Sequence, residues 1–142
     1  MGTTTKRILG IDYGSRRIGI AVSDPLHIIA KGVTVVENTS RAIENIKRIA
    51  AEYDVSTIVI GMPLNLKGEK GMKAEEVERF IEQLTRELGI AIVPLDERFS
   101  SQTAQQTLRD MGVKKKQRQV KGTIDEMAAA LILQQFLDQQ NH

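Results

Sequence analysis

The stretch GIDYGSRRIGIAVSD, residues 10–24, is the feature that most constrains the fold of this chain. Two apolar runs are separated by only a short connection, Tyr13 to Arg16. Such a connection predicts two antiparallel strands joined by a tight turn, in which Gly14 is free to take a positive φ. The first run ends on a carboxylate, Asp12, and a function for this acid has to come from the rest of the chain.

Apolar periodicity and capping residues predict the remaining elements of the fold. In chain order these are a strand at 28–36, a helix ending near residue 53 after N-cap residues at 38–40, a strand at 56–62, a helix ended by Gly89, a strand at 90–96, a helix at 100–112 and a last helix at 123–139. This order predicts an α/β fold. We expect one mixed sheet, made of an antiparallel three-strand meander plus parallel strands, flanked by helices.

Length and composition narrow the classes of protein. With 142 residues, of which 41% are hydrophobic, we expect one globular domain over 1–142 with a disordered tail at 1–5. The absence of cysteine excludes disulfides and thiolate metal sites. Neither a signal peptide nor an apolar run of about 20 residues is present, which favours a cytoplasmic protein without a membrane partner. His27 and His142 are the only histidines, so a histidine-based catalytic or metal site is not favoured.

A basic segment, VKKKQRQVKG at 113–122, contains five basic residues and no acidic one, although the net charge is only +2. It predicts a mobile basic loop, and charge alone leaves a solvated loop and a nucleic-acid contact equally open. The candidate phosphate contacts in it are Lys114, Lys115, Lys116, Arg118 and Lys121.

Carboxylates stand at the ends of three predicted elements. Asp12 ends the first strand, Asp96 and Glu97 follow the strand IAIVPL, and Asp125 and Glu126 open the last helix. Strand ends in α/β sheets converge on a ligand-binding crevice. Asp12 could equally begin a turn, and Asp125 could serve the helix dipole. If one acid from each site met in the crevice, their repulsion would call for cations, and magnesium takes oxygen ligands of this kind.

Four blocks of the sequence resemble the YqgF family, whose members are also called RuvX-type Holliday junction resolvases or pre-16S rRNA nucleases. The blocks are GIDYGSRRIGIAVSD, IVIGMPLNLKGEKG, DERFSS and TIDEMAAALILQQFL, and the resemblance runs from about Arg7 to Leu137. Met62 stands where the family has leucine, and Lys67 stands where an acidic residue is usual. The resemblance implies an RNase H-like fold with a metal-dependent nuclease centre.

The resemblance also implies which residues form that centre. Asp12, Glu97 and Asp125 fall on the family's catalytic, metal-binding acids, with Asp96 and Glu126 as neighbours that are not ligands. The implied cofactor is Mg²⁺ or Mn²⁺, as two ions when substrate is bound. Further candidate contacts to nucleic acid are Arg16, Arg17, Arg98 and Ser100.

We therefore expect a magnesium- or manganese-dependent hydrolase acting on structured nucleic acid. The main hypothesis is that it processes the 5′ end of pre-16S rRNA and so has a role in ribosome biogenesis. The alternative is that it cleaves branched DNA at Holliday junctions. A non-catalytic nucleic-acid-binding module of the same fold is a further class. An actin-like or sugar-kinase-like ATPase is disfavoured, because 142 residues leave no room for a second lobe. We expect a monomer or a weak homodimer.

Overall fold

A computed structural model describes residues 6–63, 70–96 and 121–141, with the backbone alone for 121–123. Its elements follow one another in the order β1 (Arg7–Tyr13), β2 (Arg17–Ser23), β3 (Ala30–Glu37), α1 (Ala42–Glu52), β4 (Val55–Met62), α2 (Met72–Leu88), β5 (Ala91–Asp96) and α3 (Lys121–Gln140). The predicted helix at 100–112 lies outside the described residues.

The strands form one mixed sheet in the order β3-β2-β1-β4-β5. The pairs β1–β2 and β2–β3 are antiparallel, whereas β1–β4 and β4–β5 are parallel. The predicted α/β class is therefore confirmed, with an antiparallel meander continued by parallel strands and helices on both faces.

Each face of the sheet has its own hydrophobic core, and β1 contributes to both. Leu9 and Ile11 are fully buried on the face covered by α1 and α2. Ile8 packs on the opposite face, together with Ala129 and Leu133 of α3. Burial on both faces explains why β1 and β4 are almost continuously apolar instead of alternating with polar residues.

The helix α3 lies very close to the sheet because glycines replace side chains beneath it. A Cβ built on Gly10 of β1 would be 2.7 Å from the Cβ of Leu133. A Cβ built on Gly32 of β3 would be 3.1 Å from the Cβ of Glu126. Interiors are close-packed, so side chains at these positions would push the helix outward.

Polar contacts fix α3 along the sheet at its C-terminal half. The Gln134 side chain accepts a hydrogen bond from the Ala30 N–H and donates one to the Ile28 carbonyl, both at 2.9 Å. Asn141 donates from Nδ2 to the carbonyl of His27 at 3.0 Å. The helix is thus tied to the β2–β3 connection and to the edge strand β3.

Two local predictions about caps and turns were wrong. The helix α1 has Arg41 as its N-cap without a side-chain hydrogen bond, whereas the sequence predicted cap chemistry at 38–40. Thr39 Oγ1 instead accepts from the Arg41 N–H at 3.2 Å within the preceding turn. Gly14 does not have a positive φ. Position 14 requires a glycine because a Cβ there would lie 2.4 Å from the Arg17 carbonyl oxygen.

The last helix begins at Lys121 and not at Thr123 as predicted. Lys121 therefore belongs to α3, which removes it and Gly122 from the predicted mobile loop at 113–122. The helix contains Gly122 near its start, which a helix tolerates at a cost of about 1 kcal/mol relative to alanine. None of the helices in the described ranges combines the length and apolar character needed to cross a bilayer.

Gly19 provides the sharpest test of this close packing. A Cβ there would lie 2.0 Å from the carbonyl oxygen of Asp125, whereas a Cβ on Gly71 would meet nothing within 4 Å. Because the obstacle is backbone, we expect Gly19→Ala to lower the free energy of unfolding by about 3 kcal/mol. The control Gly71→Ala, at a helix N-cap, should cost no more than about 1 kcal/mol. Urea denaturation measures both, and equal losses would contradict the described position of α3.

Candidate active site

Asp12 lies near the C-terminal end of β1, on the face of the sheet that α3 covers. It alternates with Ile8 and Gly10, which both lie under α3. Its neighbour on β2 is Gly19, which has no side chain to fill the space beside the carboxylate. The side chain is half-buried on a central strand, where the backbone is held by hydrogen bonds on both edges.

Asp125 lies on α3, directly above Gly19, the residue of β2 that pairs with Asp12. Its carbonyl oxygen is the atom that a Cβ on Gly19 would strike, at 2.0 Å. Since Gly19 pairs with Asp12 across β1 and β2, the two aspartates belong to one site. Residues 12 and 125, far apart in sequence, are thus brought together by the packing of α3.

Asp125 is not in the first turn of its helix, although the sequence predicted that it opens the helix. Because α3 begins at Lys121, its first turn contains no acidic residue. Favourable interaction with the helix dipole falls off within that first turn. The ordinary explanation for Asp125, a charge placed to complement the dipole, is therefore weakened.

Arg17, the first residue of β2, forms an ion pair with Asp125. Its Nε donates to Asp125 Oδ2 at 2.7 Å, with side-chain exposures of 36% and 23%. Arg17 shares its face of β2 with Gly19, two residues away, which explains why it points towards α3. The residue predicted as a nucleic-acid contact therefore also contacts one of the predicted metal ligands.

Burial makes the Asp12 carboxyl a weaker acid than an exposed aspartate. Desolvation, which disfavours the charged form, raises the pKa of Asp12 from its ordinary 3.8 to about 6. The positive charge of Lys73 acts in the opposite direction, and the negative charge of Asp125 raises this pKa further. Among the residues that the structure describes, the cations near Asp12 therefore do not fully compensate its ionised form.

The turn between β1 and β2 is held by Asn38, which the sequence indicated only as a candidate N-cap residue. Asn38 Nδ2 donates to the Gly14 carbonyl, and its N–H donates to the Arg16 carbonyl, both at 2.9 Å. The side chain of Arg16 is exposed at this turn, as a contact to an external anion requires. Lys73, at the start of α2, was also missed, because nothing in the sequence distinguishes it from other surface lysines.

Several predicted site residues lie outside the described residues. They are Glu97, Arg98, Ser100, Lys114, Lys115, Lys116 and Arg118, and for Lys121 only the backbone is described. On β5, Val93 and Leu95 pack in the α3 core, whereas Ile92 packs in the opposite one. The face shared by Val93 and Leu95 is the one on which sequence alternation expects Glu97, and Asp96 belongs to the other face.

A groove of about 950 Å³ lies between α1 and α2, on the face of the sheet opposite Asp12. Its walls combine acidic side chains such as Glu44 and Glu76 with basic ones such as Lys47 and Arg79. Charges of both signs give no preference for a polyanion. The groove is therefore not a favoured substrate site.

The residues present fit a hard divalent cation. Asp12 and Asp125 offer oxygen ligands only, the donor type that magnesium and manganese take. Within the described ranges no cluster of three or more potential ligands occurs, and the third predicted acid, Glu97, falls outside them. The incompletely compensated charge of Asp12 is the feature that a cation would neutralise.

Comparison with known proteins agrees with the sequence resemblance. A family model described as RuvX, Holliday junction resolvase, matches residues 6–139. A Natranaerobius thermophilus protein named "Putative pre-16S rRNA nuclease" is 41% identical over 136 residues, covering 94% of this chain and 95% of the relative. A Chloroflexus aggregans protein of the same name is 42% identical over 133 residues, covering 92% of each chain.

Two resolvases are among the solved structures similar to this chain. T. thermophilus RuvC in complex with a Holliday junction substrate matches with a TM-score of 0.60 at 15% identity, over 96% of each chain. The Fowlpox virus resolvase in complex with Holliday junction DNA matches with a TM-score of 0.61 at 12% identity, over 96% of this chain and 99% of that one. These likenesses establish the fold, and the predicted RNase H-like architecture is confirmed. The match of the family model over residues 6–139 and the relatives 41% and 42% identical show that this chain belongs to the RuvX family, also called YqgF.

Proposed function

We propose that this protein is a nuclease that hydrolyses phosphodiester bonds in structured nucleic acid with the help of Mg²⁺ or Mn²⁺. The 5′ end of pre-16S rRNA is the first candidate substrate, because relatives about 40% identical over most of the chain carry that name. The observation that carries the proposal is the pairing of Asp12 on a rigid central strand with Asp125 above it on α3.

A non-catalytic nucleic-acid-binding module is the weaker explanation of this pairing. Ionised carboxylates next to a phosphate repel it, and burying one of them adds a desolvation cost. A protein that only bound nucleic acid would gain nothing from Asp12, whose pKa is raised to about 6 by its surroundings. The arrangement is useful if a cation joins the acids to the substrate.

The chain's own residues would divide the work as follows. Asp12, Asp125 and Glu97 would hold the cation, and the strand position of Asp12 would fix the geometry better than a loop could. The bound cation supplies charge stabilisation at the attacking and leaving oxygens of the phosphodiester. Arg17 and the exposed Arg16 would contact phosphate oxygens from the β1–β2 turn.

The substrate is selected by residues outside the catalytic acids. Arg98, Ser100 and the basic side chains from Lys114 to Lys121 would extend the phosphate contacts along the nucleic acid. Cleavage of branched DNA is the second candidate, favoured by the likeness of the fold to two resolvases solved with Holliday junctions. Junction cleavage needs paired active sites, and so a dimer, whereas RNA processing is compatible with a monomer.

Because the pKa of Asp12 is raised, the free energy of unfolding should depend on pH, and this dependence can be measured without a cleavage assay. Because the folded protein holds this proton more tightly than the unfolded chain, the stabilisation by the protonated carboxyl is complete below about pH 4. It is lost as the pH rises through about 6, where the buried group ionises. Each unit of pKa shift corresponds to about 1.4 kcal/mol.

We expect Asp12→Asn to be more stable than the wild type in metal-free buffer, by about 3 kcal/mol at pH 8 and by little at pH 4. The reason is that asparagine removes the cost of ionising a buried carboxyl. Urea denaturation across this pH range, with EDTA present, measures the difference. The control Asp54→Asn makes the same replacement at an exposed acid away from the site and should not reproduce the gain of about 3 kcal/mol that Asp12→Asn shows at pH 8. A stability difference for Asp12→Asn that does not change with pH would contradict the assigned pKa.

We expect Asp12→Asn, Glu97→Gln and Asp125→Asn each to lower cleavage by more than about 100-fold while leaving the fold intact. Loss of a ligand oxygen and its charge should cost more than the 10–100-fold typical of outer-sphere partners. The matched control is Asp96→Asn, which should keep substantial activity. The assay uses Mg²⁺ or Mn²⁺ with a 5′-extended pre-16S fragment, single-stranded RNA and a four-way DNA junction.

Three results would change the proposal in different ways. Cleavage of the junction but not of the RNA would transfer the function to the second candidate. An inactive Asp96→Asn with an active Glu97→Gln would mean that the wrong carboxylate has been assigned. Wild-type activity in Asp12→Asn would reject the proposed nuclease centre itself.

A further inference from the structure

The ion pair between Arg17 and Asp125 places a cation on an oxygen that the proposed function requires as a metal ligand. The Arg17 Nε donates to Asp125 Oδ2 at 2.7 Å, a charge-assisted contact between two partly buried groups. Arg17 belongs to β2, a strand paired on both sides, so its backbone is fixed relative to the site. The contact joins residues 108 positions apart and thus also the sheet to α3.

The guanidinium and a divalent cation are rivals for the same carboxylate. A metal ion bound to Asp125 beside an unmoved Arg17 would face a like charge within a few ångströms, at a cost that partial burial makes larger than in water. Arg17 has five donors and a long flexible stem, so it can turn to another acceptor nearby. A substrate phosphate entering the site would be such an acceptor, because arginine pairs with phosphate as readily as with carboxylate.

We propose that Arg17 is a positioning residue that occupies Asp125 in the absence of substrate and moves to the substrate phosphate when both bind, so that metal and nucleic acid bind cooperatively. This inference rests on the proposed function. Without nucleic acid, the ion pair occupies Asp125 Oδ2 and opposes binding of the cation. With nucleic acid present, Arg17 has a second acceptor and the carboxylate is released to the metal. By linkage, the substrate tightens metal binding by the same factor as the metal tightens substrate binding.

Arg16 provides a matched control, because it is adjacent to Arg17 in the sequence. Its side chain is exposed at the β1–β2 turn, and alternation along the chain directs it away from the face on which Arg17 meets α3. Removal of either arginine takes one positive charge from the same turn. A difference between the two variants therefore reports the contact with Asp125 and not the general field of the turn.

The experiment measures Mn²⁺ binding to the full-length protein by electron paramagnetic resonance, without nucleic acid and with a phosphorothioate-substituted, non-cleaved RNA. The wild type should bind Mn²⁺ weakly alone and about 10-fold more tightly with the RNA. Arg17→Gln should bind Mn²⁺ alone about 3–10-fold more tightly than the wild type, and the RNA should add little. Arg16→Gln loses a proposed phosphate contact but not the contact with Asp125, so it should bind Mn²⁺ alone with the wild-type affinity. Arg17→Lys retains the charge without the fork of donors, and its affinity for Mn²⁺ alone should stay within about 2-fold of the wild type.

Four results would overturn the inference. Weaker Mn²⁺ binding by Arg17→Gln would mean that Arg17 only supports the position of α3. Unchanged Mn²⁺ binding alone would mean that Arg17 is a phosphate contact without effect on the metal. Arg17→Gln can be used only if its melting temperature lies within about 10 °C of the wild type. If it is lower, Arg17→Lys takes its place. Mn²⁺ binding by Arg17→Lys that is more than 2-fold weaker than in the wild type would then reject the inference. Absence of Mn²⁺ binding by the wild type itself would reject the metal-dependent function together with the inference.

Discussion

The close approach of α3 to the sheet is the constraint on which the site depends. A helix normally stands off from a sheet by the thickness of the side chains between them. Here Gly10 and Gly19 provide no side chain, and the backbone of α3 at Asp125 occupies the space that a Cβ on Gly19 would need. Only at this distance can an acid on α3 share a site with Asp12 on β1. These glycines therefore belong to the functional design as much as the acids do.

The second constraint is electrostatic. A strand in the middle of a sheet holds Asp12 rigidly, but the same burial disfavours its charge and raises its pKa to about 6. The neighbouring Asp125 adds repulsion, which Lys73 only partly offsets. Arg17 meets the charge of Asp125 directly. Among the described residues the negative charge of Asp12 is thus incompletely balanced, which is the condition that the proposed cation would meet.

Much of this arrangement could be predicted from local sequence patterns, because those patterns follow from the periodicity of strands and helices. The apolar runs of β1, β2 and β4, the short turn between β1 and β2 and the capping glycine at residue 89 led to the correct sheet. The start of α3 at Lys121 was missed because no capping residue marks it in the sequence. The ion pair of Arg17 with Asp125 could not be predicted, since it depends on the register of β2 against a helix 108 residues later in the chain. The need for Gly14 was attributed to its φ, whereas it comes from a close contact with Arg17.

A metal centre formed by Asp12, Asp125 and Glu97 is tested most directly by anomalous diffraction from crystals of the protein soaked in Mn²⁺. One or two anomalous peaks should appear on the α3 face of the sheet, within about 2.5 Å of carboxylate oxygens from all three residues. A Mn²⁺ peak elsewhere, or a Glu97 carboxylate on the face of the sheet covered by α1 and α2, would contradict this centre.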